Sequence, residues 1–287
     1  MTGAIILCAD DFALTDGVSR GIEELVSAER LSATSALVTT RHWPAHAARM
    51  KDLRSKIAVG LHFNLTLGIP LGNMPWLCPT GAFPALPAIV RASLAWHIPR
   101  DEIATEFTRQ FNAFEQSMGC QPDFVDGHQH VHVLPGVREA VLGALQAKHA
   151  AAGTLVRDPG DNPSAILGRG ASVKKALILA TFARGFADAV TTAGFITNIS
   201  FAGVSAFDEK KSYRAELDRF FTRVSARHLV MCHPGYVDDE LPALDPVVGR
   251  RAQEFDVLMR HQQLPALIWH PQRSADGWVD WPGLANG

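Results

Sequence analysis

The chain alternates between short apolar runs and longer segments in which apolar residues recur every three or four positions. Short runs of this kind, with little polar interruption, are typical of strands buried on both faces of a parallel sheet. By this criterion we predict strands at residues 4–9, 34–40, 56–66, 124–133, 154–157, 195–201, 228–232 and 266–269.

The longer segments have the spacing of amphipathic helices. In one of them Ile103, Phe107, Phe111 and Phe114 recur at helical intervals behind an acidic first turn. Helices are predicted at residues 18–28, 44–54, 101–118, 135–151, 174–193, 214–223 and 246–261, with Thr15 or Asp16 as cap of the first, and Gly/Pro-rich loops at 68–87 and 158–170.

Strands that alternate with helices predict an α/β fold, with a parallel sheet and right-handed crossovers. We favour a sheet closed into a barrel over an open one. A length of 287 residues suits such a barrel, so residues 1–287 are predicted to form a single domain. In folds of this kind the chemistry gathers at the carboxyl ends of the strands.

Composition and charge exclude several classes of protein. Apolar residues make up 47% of the chain and the formal net charge is -2, without a basic stripe for a nucleic-acid backbone. The longest apolar stretch, Ala176 to Phe182, is far short of the ~20 residues of a membrane span, and no basic signal segment opens the chain. We therefore predict a cytoplasmic protein. The 4 cysteines lack C-x-x-C spacing, so neither a zinc knuckle nor a disulfide framework is predicted.

Two adjacent carboxylates, Asp10 and Asp11, come directly after the first apolar run. A single Asp there is explained as the cap of the next helix. Two in succession suggest a cation site, in which alternation along the strand turns one carboxylate to the ion and the other to a water bound to it. His62 ends another predicted strand, where the alternative is a hydrogen-bonded core histidine.

The densest group of candidate ligands is the segment DGHQHVH, residues 126–132. In an extended segment, alternation places His128, His130 and His132 on one face. Imidazoles with a carboxylate suit Zn²⁺ and its first-row neighbours, and two His plus one carboxylate leave positions open for water and substrate. At least one of the three histidines is expected to serve another purpose.

His233 stands at a fourth strand end, before a Pro-Gly turn that does not itself require a histidine. In chain order the segments ADDF from Ala9, GLHFNLT from Gly60, DGHQHVH from Asp126 and HPGY from His233 resemble the YdjC-like family of carbohydrate deacetylases. The family usually has Gly where this chain has Ala13.

The resemblance implies a distorted TIM-like barrel, parallel strands with outer helices, one bound divalent cation (Mg²⁺ or Zn²⁺), and removal of an N-acetyl group from an amino sugar. It makes Asp11, His62 and His128 the metal ligands. It makes Asp10 the general base and His233 the general acid. These residue types suit amide hydrolysis, which requires an activated water and a protonated leaving amine.

Four further residues are candidates for substrate binding. Arg157, after a predicted strand, can steady Asp10, contact the substrate or lie in solvent. Trp76 and Phe83 share a predicted loop and can form a wall on which a sugar stacks, or belong to an ordinary packed surface or an interface. His130 is the fourth candidate.

Apolar segments at residues 86–96 and 176–186 leave room for a lipid-linked amino sugar, so an N-acetylated oligosaccharide and a glycolipid both stand as substrates. A homodimer is the protein assembly considered. Two other classes stay open. A metal-dependent phosphoester hydrolase would add Arg or Lys at the strand ends. A non-catalytic sugar-binding barrel protein would not need both Asp10 and His233.

Overall fold

A seven-stranded parallel sheet forms the centre of the computed structural model, which describes residues 5–284. Its strands are β1 (Ile5–Phe12), β2 (Ala33–Ala36), β3 (Ala58–Phe63), β4 (Phe124–Gly127), β5 (Leu155–Val156), β6 (Ser200–Ala202) and β7 (His228–Cys232). They follow the order β5-β4-β3-β2-β1-β7-β6 across the sheet. Their carboxyl ends therefore meet on one side of the molecule.

The segment before β6 brings the two edges of the sheet together. Ile196 forms a parallel bridge with Leu155 of β5, and the backbone N–H of Val156 donates to the Ile196 carbonyl at 2.7 Å. Further along, Ser200 of β6 pairs with His228 of β7. Because one segment contacts both edges, the sheet curls into a barrel. The predicted distorted TIM-like barrel of parallel strands is confirmed.

Helices surround the sheet, and their apolar faces pack on it. The predicted spacing in the longest helix is confirmed, since Ile103, Phe107, Phe111 and Phe114 are all fully buried. The helices are α1 (Asp16–Ser27), α2 (Trp43–Leu53), α3 (Leu86–Leu94), α4 (Arg100–Met118), α5 (Val137–Ala147), α6 (Pro163–Arg169), α7 (Val173–Phe182), α8 (Phe186–Thr192), α9 (Tyr213–Phe220), α10 (Leu241–Leu244), α11 (Gly249–Arg260) and α12 (Leu264–Leu267).

Strand β1 shows why the sequence of a barrel strand is almost entirely apolar. Leu7 and Ala9 pack in the core between the sheet and the helices, whereas Ile6 and Cys8 belong to a second apolar cluster drawn from all seven strands. This second cluster fills the barrel interior. By the same alternation Asp10 points to the interior side.

Several predicted elements differ from the structure. The predicted helix 174–193 is two helices, α7 and α8, because Gly185 adopts a positive φ of 71° between them. The predicted loop 158–170 contains α6, and the predicted strand 266–269 overlaps α12. The first predicted strand began at Ala4, which lies outside the described residues. A short antiparallel hairpin, β8 (Gln272–Arg273) and β9 (Val279–Asp280), was not predicted.

Within residues 5–284, every helix is too short or too polar to cross a lipid bilayer.

Candidate active site

The carboxylates of Asp10 and Asp11 lie at a β-bulge near the end of β1. Between Ala9 and Phe12 this strand has one residue more than the facing part of β2. Asp11 adopts a positive φ of 69°, which is uncommon for residues other than Gly. A bulge re-aims side chains, and here both carboxylates line one cleft instead of facing opposite sides as predicted. Ala13 also has a positive φ, 67°, a conformation that Gly adopts more readily.

Three side chains from three strand ends converge on one point. Oδ1 of Asp11 lies 3.2 Å from Nε2 of His62 and 3.1 Å from Nδ1 of His128. These three ligand atoms all lie within 4.8 Å of one another. They are the residues that the family resemblance makes metal ligands, and one carboxylate with two imidazoles is a suitable donor set for a divalent cation.

Asp126 determines which nitrogen of His62 faces this point. Nδ1 of His62 lies 2.6 Å from Oδ1 of Asp126, so Nδ1 carries a proton. The other ring nitrogen, Nε2, points at Asp11. A neutral imidazole would then aim a lone pair at a carboxylate oxygen, which requires a cation or a second proton between them. When no metal ion is bound, a second proton on the imidazole fills this role. Burial lowers the pKa of His62, but Asp126 and Asp11 raise it to about 10. The arrangement of Asp11, His62 and Asp126 therefore fits a cation. Histidine ligands in metal sites usually have a carboxylate hydrogen-bonded to the second ring nitrogen, as Asp126 is to His62.

Sequence reasoning does not find the residue that holds the other oxygen of Asp11. Arg251 of α11 is fully buried and donates to Oδ2 of Asp11 at 2.6 Å, while it also pairs with Asp245. Burial raises the pKa of Asp11, but Arg251 and the two histidines lower it well below its usual range. No local motif connects positions 240 residues apart, so only the folded chain reveals this pair.

Asp10 is joined to Arg157 by two hydrogen bonds of 2.7 and 2.6 Å. Arg157 is fully buried and also lies 2.5 Å from Asp126, so one guanidinium links Asp10 to the carboxylate behind His62. Burial raises the pKa of Asp10, but the charge and hydrogen bonds of Arg157 lower it well below its usual range. The structure thus places Arg157 behind Asp10, where it can steady that carboxylate. It is buried and does not lie in solvent.

His233 follows β7 and lines the same cleft as the two aspartates. Its backbone N–H donates to the buried Glu254 of α11 at 2.6 Å, and its ring packs edge-on against Phe207 with centroids 5.2 Å apart. Burial lowers the pKa of the imidazole, and the charges of Asp10 and Asp11 oppose this shift. Among the described residues, Nδ1 of His233 has no hydrogen-bond partner.

The histidine-rich segment is not extended, contrary to the prediction. Residues 128–133 form a 3-10 turn in which Gln129 and His130 have positive φ angles of 54° and 59°. The turn separates the three imidazoles: His128 faces Asp11, His130 lines the cleft, and His132 is buried against a backbone carbonyl. Burial lowers the pKa of His132 to about 4, so it is neutral.

One cleft of about 420 Å³ contains these groups. Its charged site, at the carboxyl ends of the strands, consists of Asp10, Asp11, His62, His128 and His233. Much of the remaining lining is aliphatic or aromatic and comes from two helices that flank the strand ends. We call this part the apolar wall, formed by Leu86 and Val90 of α3 and by Ile178, Leu179 and Phe182 of α7.

The two aromatic residues of the predicted sugar-stacking loop do not reach the cleft. Trp76 is 82% exposed and Phe83 is packed in the outer core, and neither lines the cleft as far as the chain is described. The reason is a contact with α4: Glu102 accepts hydrogen bonds of 2.9 Å from the backbone N–H groups of Trp76 and Leu77. These bonds hold the loop against the outside of the barrel.

Together the fold and the site define a parallel-stranded barrel with a carboxylate and imidazole centre at its strand ends. A model of the YdjC-like protein family matches residues 4–267. The chain belongs to this family, as the four sequence segments predicted.

Curated relatives share part or most of the chain. The chitooligosaccharide deacetylase of Escherichia fergusonii is 30% identical over 90% of this chain and 91% of its own length. That of Enterobacter sp. (strain 638) is 36% identical over 48% of this chain, and the match spans only 53% of that relative. A proposed cellobiose-phosphate cleavage protein of Enterococcus faecalis V583 has a similar fold, with a TM-score of 0.69 and 19% identity over 94% of this chain and 97% of that one.

Proposed function

We propose that this chain is a carbohydrate deacetylase that removes an N-acetyl group from an amino sugar with the help of one divalent cation. One observation carries the proposal: Asp11, His62 and His128 converge on one point within the cleft that also contains Asp10 and His233. The names of the curated relatives support the same activity.

The proposed cation ligands are Oδ1 of Asp11, Nε2 of His62 and Nδ1 of His128. A cation bound there supplies a water of lowered pKa and polarises the acetyl carbonyl. Both Mg²⁺ and Zn²⁺ stay candidates, since imidazole favours zinc whereas carboxylate and water also suit magnesium.

Asp10 and His233 divide the proton transfers. The carboxylate of Asp10, kept ionised by Arg157, accepts a proton from the attacking water, whose oxygen forms a bond to the acetyl carbon. The bond between that carbon and the sugar nitrogen then breaks, and His233 gives the nitrogen a proton. Asp10 then releases its proton and His233 regains one, so the net reaction places the hydroxyl of water on the acetyl carbon and one hydrogen on the amine.

The structure gives less support to the other two classes. Among the residues that line the described cleft, Lys175 is the sole Lys or Arg, because Arg157 and Arg251 are both engaged by carboxylates behind it. A phosphoester hydrolase is expected to present more positive charge to its substrate. A non-catalytic sugar-binding barrel does not explain why Asp10 and His233 line the cleft in which those three side chains converge.

Acetate release tests the proposal. Purified protein is stripped with a chelator, reloaded with Mg²⁺, Zn²⁺ or Co²⁺, and incubated with N-acetylglucosamine, its oligosaccharides and its alkyl glycosides. We expect acetate with at least one substrate and one ion, and none after chelation. Absence of acetate with every substrate and ion contradicts the proposal. The cytoplasmic location and the homodimer stay predictions, and size-exclusion chromatography with light scattering tests the latter.

A further inference from the structure

We infer that Ser19 is a positioning residue for the proposed metal site: its hydroxyl holds the turn after β1 in the conformation that aims Asp11 at His62 and His128. Ser19 lies in the first turn of α1, is fully buried, and stands outside the described lining of the cleft. The inference rests on the proposed deacetylase function and adds a residue that supports it from behind.

The residue that provides the carboxylate ligand also begins a tight turn. The backbone N–H of Leu14 donates to the carbonyl of Asp11 at 3.0 Å, so these residues close a four-residue turn. Ala13, in the third position of the turn, has a φ of 67°, and Asp11 itself has a φ of 69°. A left-handed conformation is strained for residues with a Cβ atom, and turns favour Gly or Asn in this position. The turn therefore needs contacts from elsewhere in the fold to hold it.

Side chains from outside the turn bind both backbone groups of Ala13. This residue is fully buried, and its N–H donates to Oγ of Ser19 at 2.9 Å. Its carbonyl accepts a hydrogen bond of 2.6 Å from Oγ1 of Thr40. Without the Ser19 hydroxyl the buried N–H would lack this partner, which is costly. Other conformations of the turn would then compete with the left-handed one.

His46 of α2 orients the Ser19 hydroxyl. Its Nδ1 lies 2.9 Å from Oγ of Ser19. Because that oxygen accepts from Ala13, its own hydrogen is left for a lone pair on Nδ1. Burial lowers the pKa of His46 to about 4, so the ring is neutral and can accept this hydrogen. Nε2 then carries the ring proton and faces Oδ1 of Asp16 at 3.5 Å. A continuous series of contacts thus joins α2 to the turn.

The turn matters for the metal site because it determines the backbone conformation of Asp11. Arg251 holds the second carboxylate oxygen of Asp11 but leaves its backbone free. A protein in which the turn has relaxed must restore it before all three ligand atoms converge. The apparent affinity for the ion then falls by the fraction of molecules that have the ligand in place. Ser19 should therefore increase metal affinity without contacting the ion.

Isothermal titration of metal-stripped protein with Zn²⁺, and separately with Mg²⁺, tests the inference. Ser19→Ala should weaken metal binding by roughly tenfold, about the effect of one buried hydrogen bond. Ser32→Ala is the matched control. Ser32 is also fully buried and accepts from a backbone N–H of β1, that of Leu7 at 3.2 Å, but nearer the amino end of the strand. The control should lower the Tm and leave the metal affinity unchanged.

Two further variants distinguish positioning from a general loss of stability. Thr40→Val removes the bond to the Ala13 carbonyl and should also weaken metal binding. Ala13→Gly, added to Ser19→Ala, should restore part of the affinity, because Gly adopts a φ of 67° without strain.

The titrations also separate failure of the inference from failure of the proposed function. Unchanged affinity in Ser19→Ala, an equal fall in Ser32→Ala, or no recovery with Ala13→Gly overturns the inference while the deacetylase function stands. If the unmodified protein binds neither ion, the proposed metal site fails, and the role of Ser19 fails with it.

Discussion

The charged site and the apolar wall share one cleft but are held in place by different means. In the charged site the key side chains have buried ionic partners: Asp10 is held by Arg157, Asp11 by Arg251 and His62 by Asp126. The wall consists of side chains on α3 and α7 that contact the core only in part. The comparison indicates a fixed charged site, the proposed reaction centre, beside an adaptable surface. Changes at the charged site should therefore abolish activity, whereas changes in the wall should alter substrate preference.

Loss of a metal ligand is expected to have the largest effect. Asp11→Ala and His128→Ala each remove one of three converging ligand atoms, so bound metal should fall from about one ion per chain to near zero. Metal analysis after gel filtration measures this. His149→Ala is the control, since His149 is exposed and precedes β5 instead of following a strand. Full retention of metal in both ligand variants would show that the site is elsewhere.

Asp10→Asn should separate metal binding from catalysis. The amide is nearly the same size but cannot accept a proton from water, and general base catalysis is worth ~10²–10⁴-fold. We expect kcat to fall within that range while the metal content stays unchanged. Turnover close to that of the unmodified protein would reduce Asp10 to a structural partner of Arg157.

His233→Ala should lower kcat less severely when the leaving group is better. A departing amine requires a proton, whereas the oxygen of an activated acetate ester does not. The loss on the N-acetyl sugar is expected to be ~10²-fold or more, and clearly smaller on the ester, with metal retained. Equal losses on both substrates, or loss of the metal, would assign His233 to a ligand or scaffold role.

Asp126→Asn tests whether the carboxylate that is hydrogen-bonded to His62 increases the affinity for the metal. The amide no longer holds His62 by a charged hydrogen bond, and changes of this kind typically cost ~10–100-fold in metal affinity. Isothermal titration measures the change. Asp123→Asn is the matched control, because Asp123 is also buried beside β4 but pairs with Arg273, away from the charged site. Equal affinities for the two variants would contradict the role of Asp126.

Glu254→Gln is expected to change stability more than activity. Burial raises the pKa of Glu254 from its ordinary 4.5 to about 7, although Arg250, Arg251 and the His233 N–H oppose the shift. Between these pH values the folded protein retains a proton that the unfolded chain releases, so this group lowers stability as the pH rises. Gln keeps an acceptor for His233 but does not titrate. The Tm of the variant relative to the parent should therefore increase by a few degrees from pH 5 to pH 8, and a constant difference would contradict the assigned pKa.

Much of the fold could be predicted from the sequence, because it depends on local patterns. The resemblance to the family named Asp11, His62 and His128, which the structure brings together. Apolar runs indicate the strands. Polar residues at the carboxyl ends of parallel strands are expected to lie close together, because those ends share one side of the sheet. Residues 128–133 were predicted wrongly, since alternation assumes extended backbone and the left-handed Gln129 and His130 interrupt it. Arg251 and Glu254 were missed because a buried charge on α11 has the same helical spacing as an exposed one. Trp76 was misplaced because its loop is held by hydrogen bonds to α4.

The bulge in β1 also determines how this part of the chain tolerates changes in length. Phe12 packs in the outer core with Leu7 and Ala9, although simple alternation would place it with Ile6 and Cys8 inside the barrel. Deleting one residue between Ala9 and Phe12 would restore regular pairing with β2 and keep Phe12 on the outer side with Ala9, but it would leave one carboxylate where the cleft now has two. Strand ends in most folds accept such deletions readily. Here the deletion would produce a more regular strand but take a carboxylate from the proposed reaction centre.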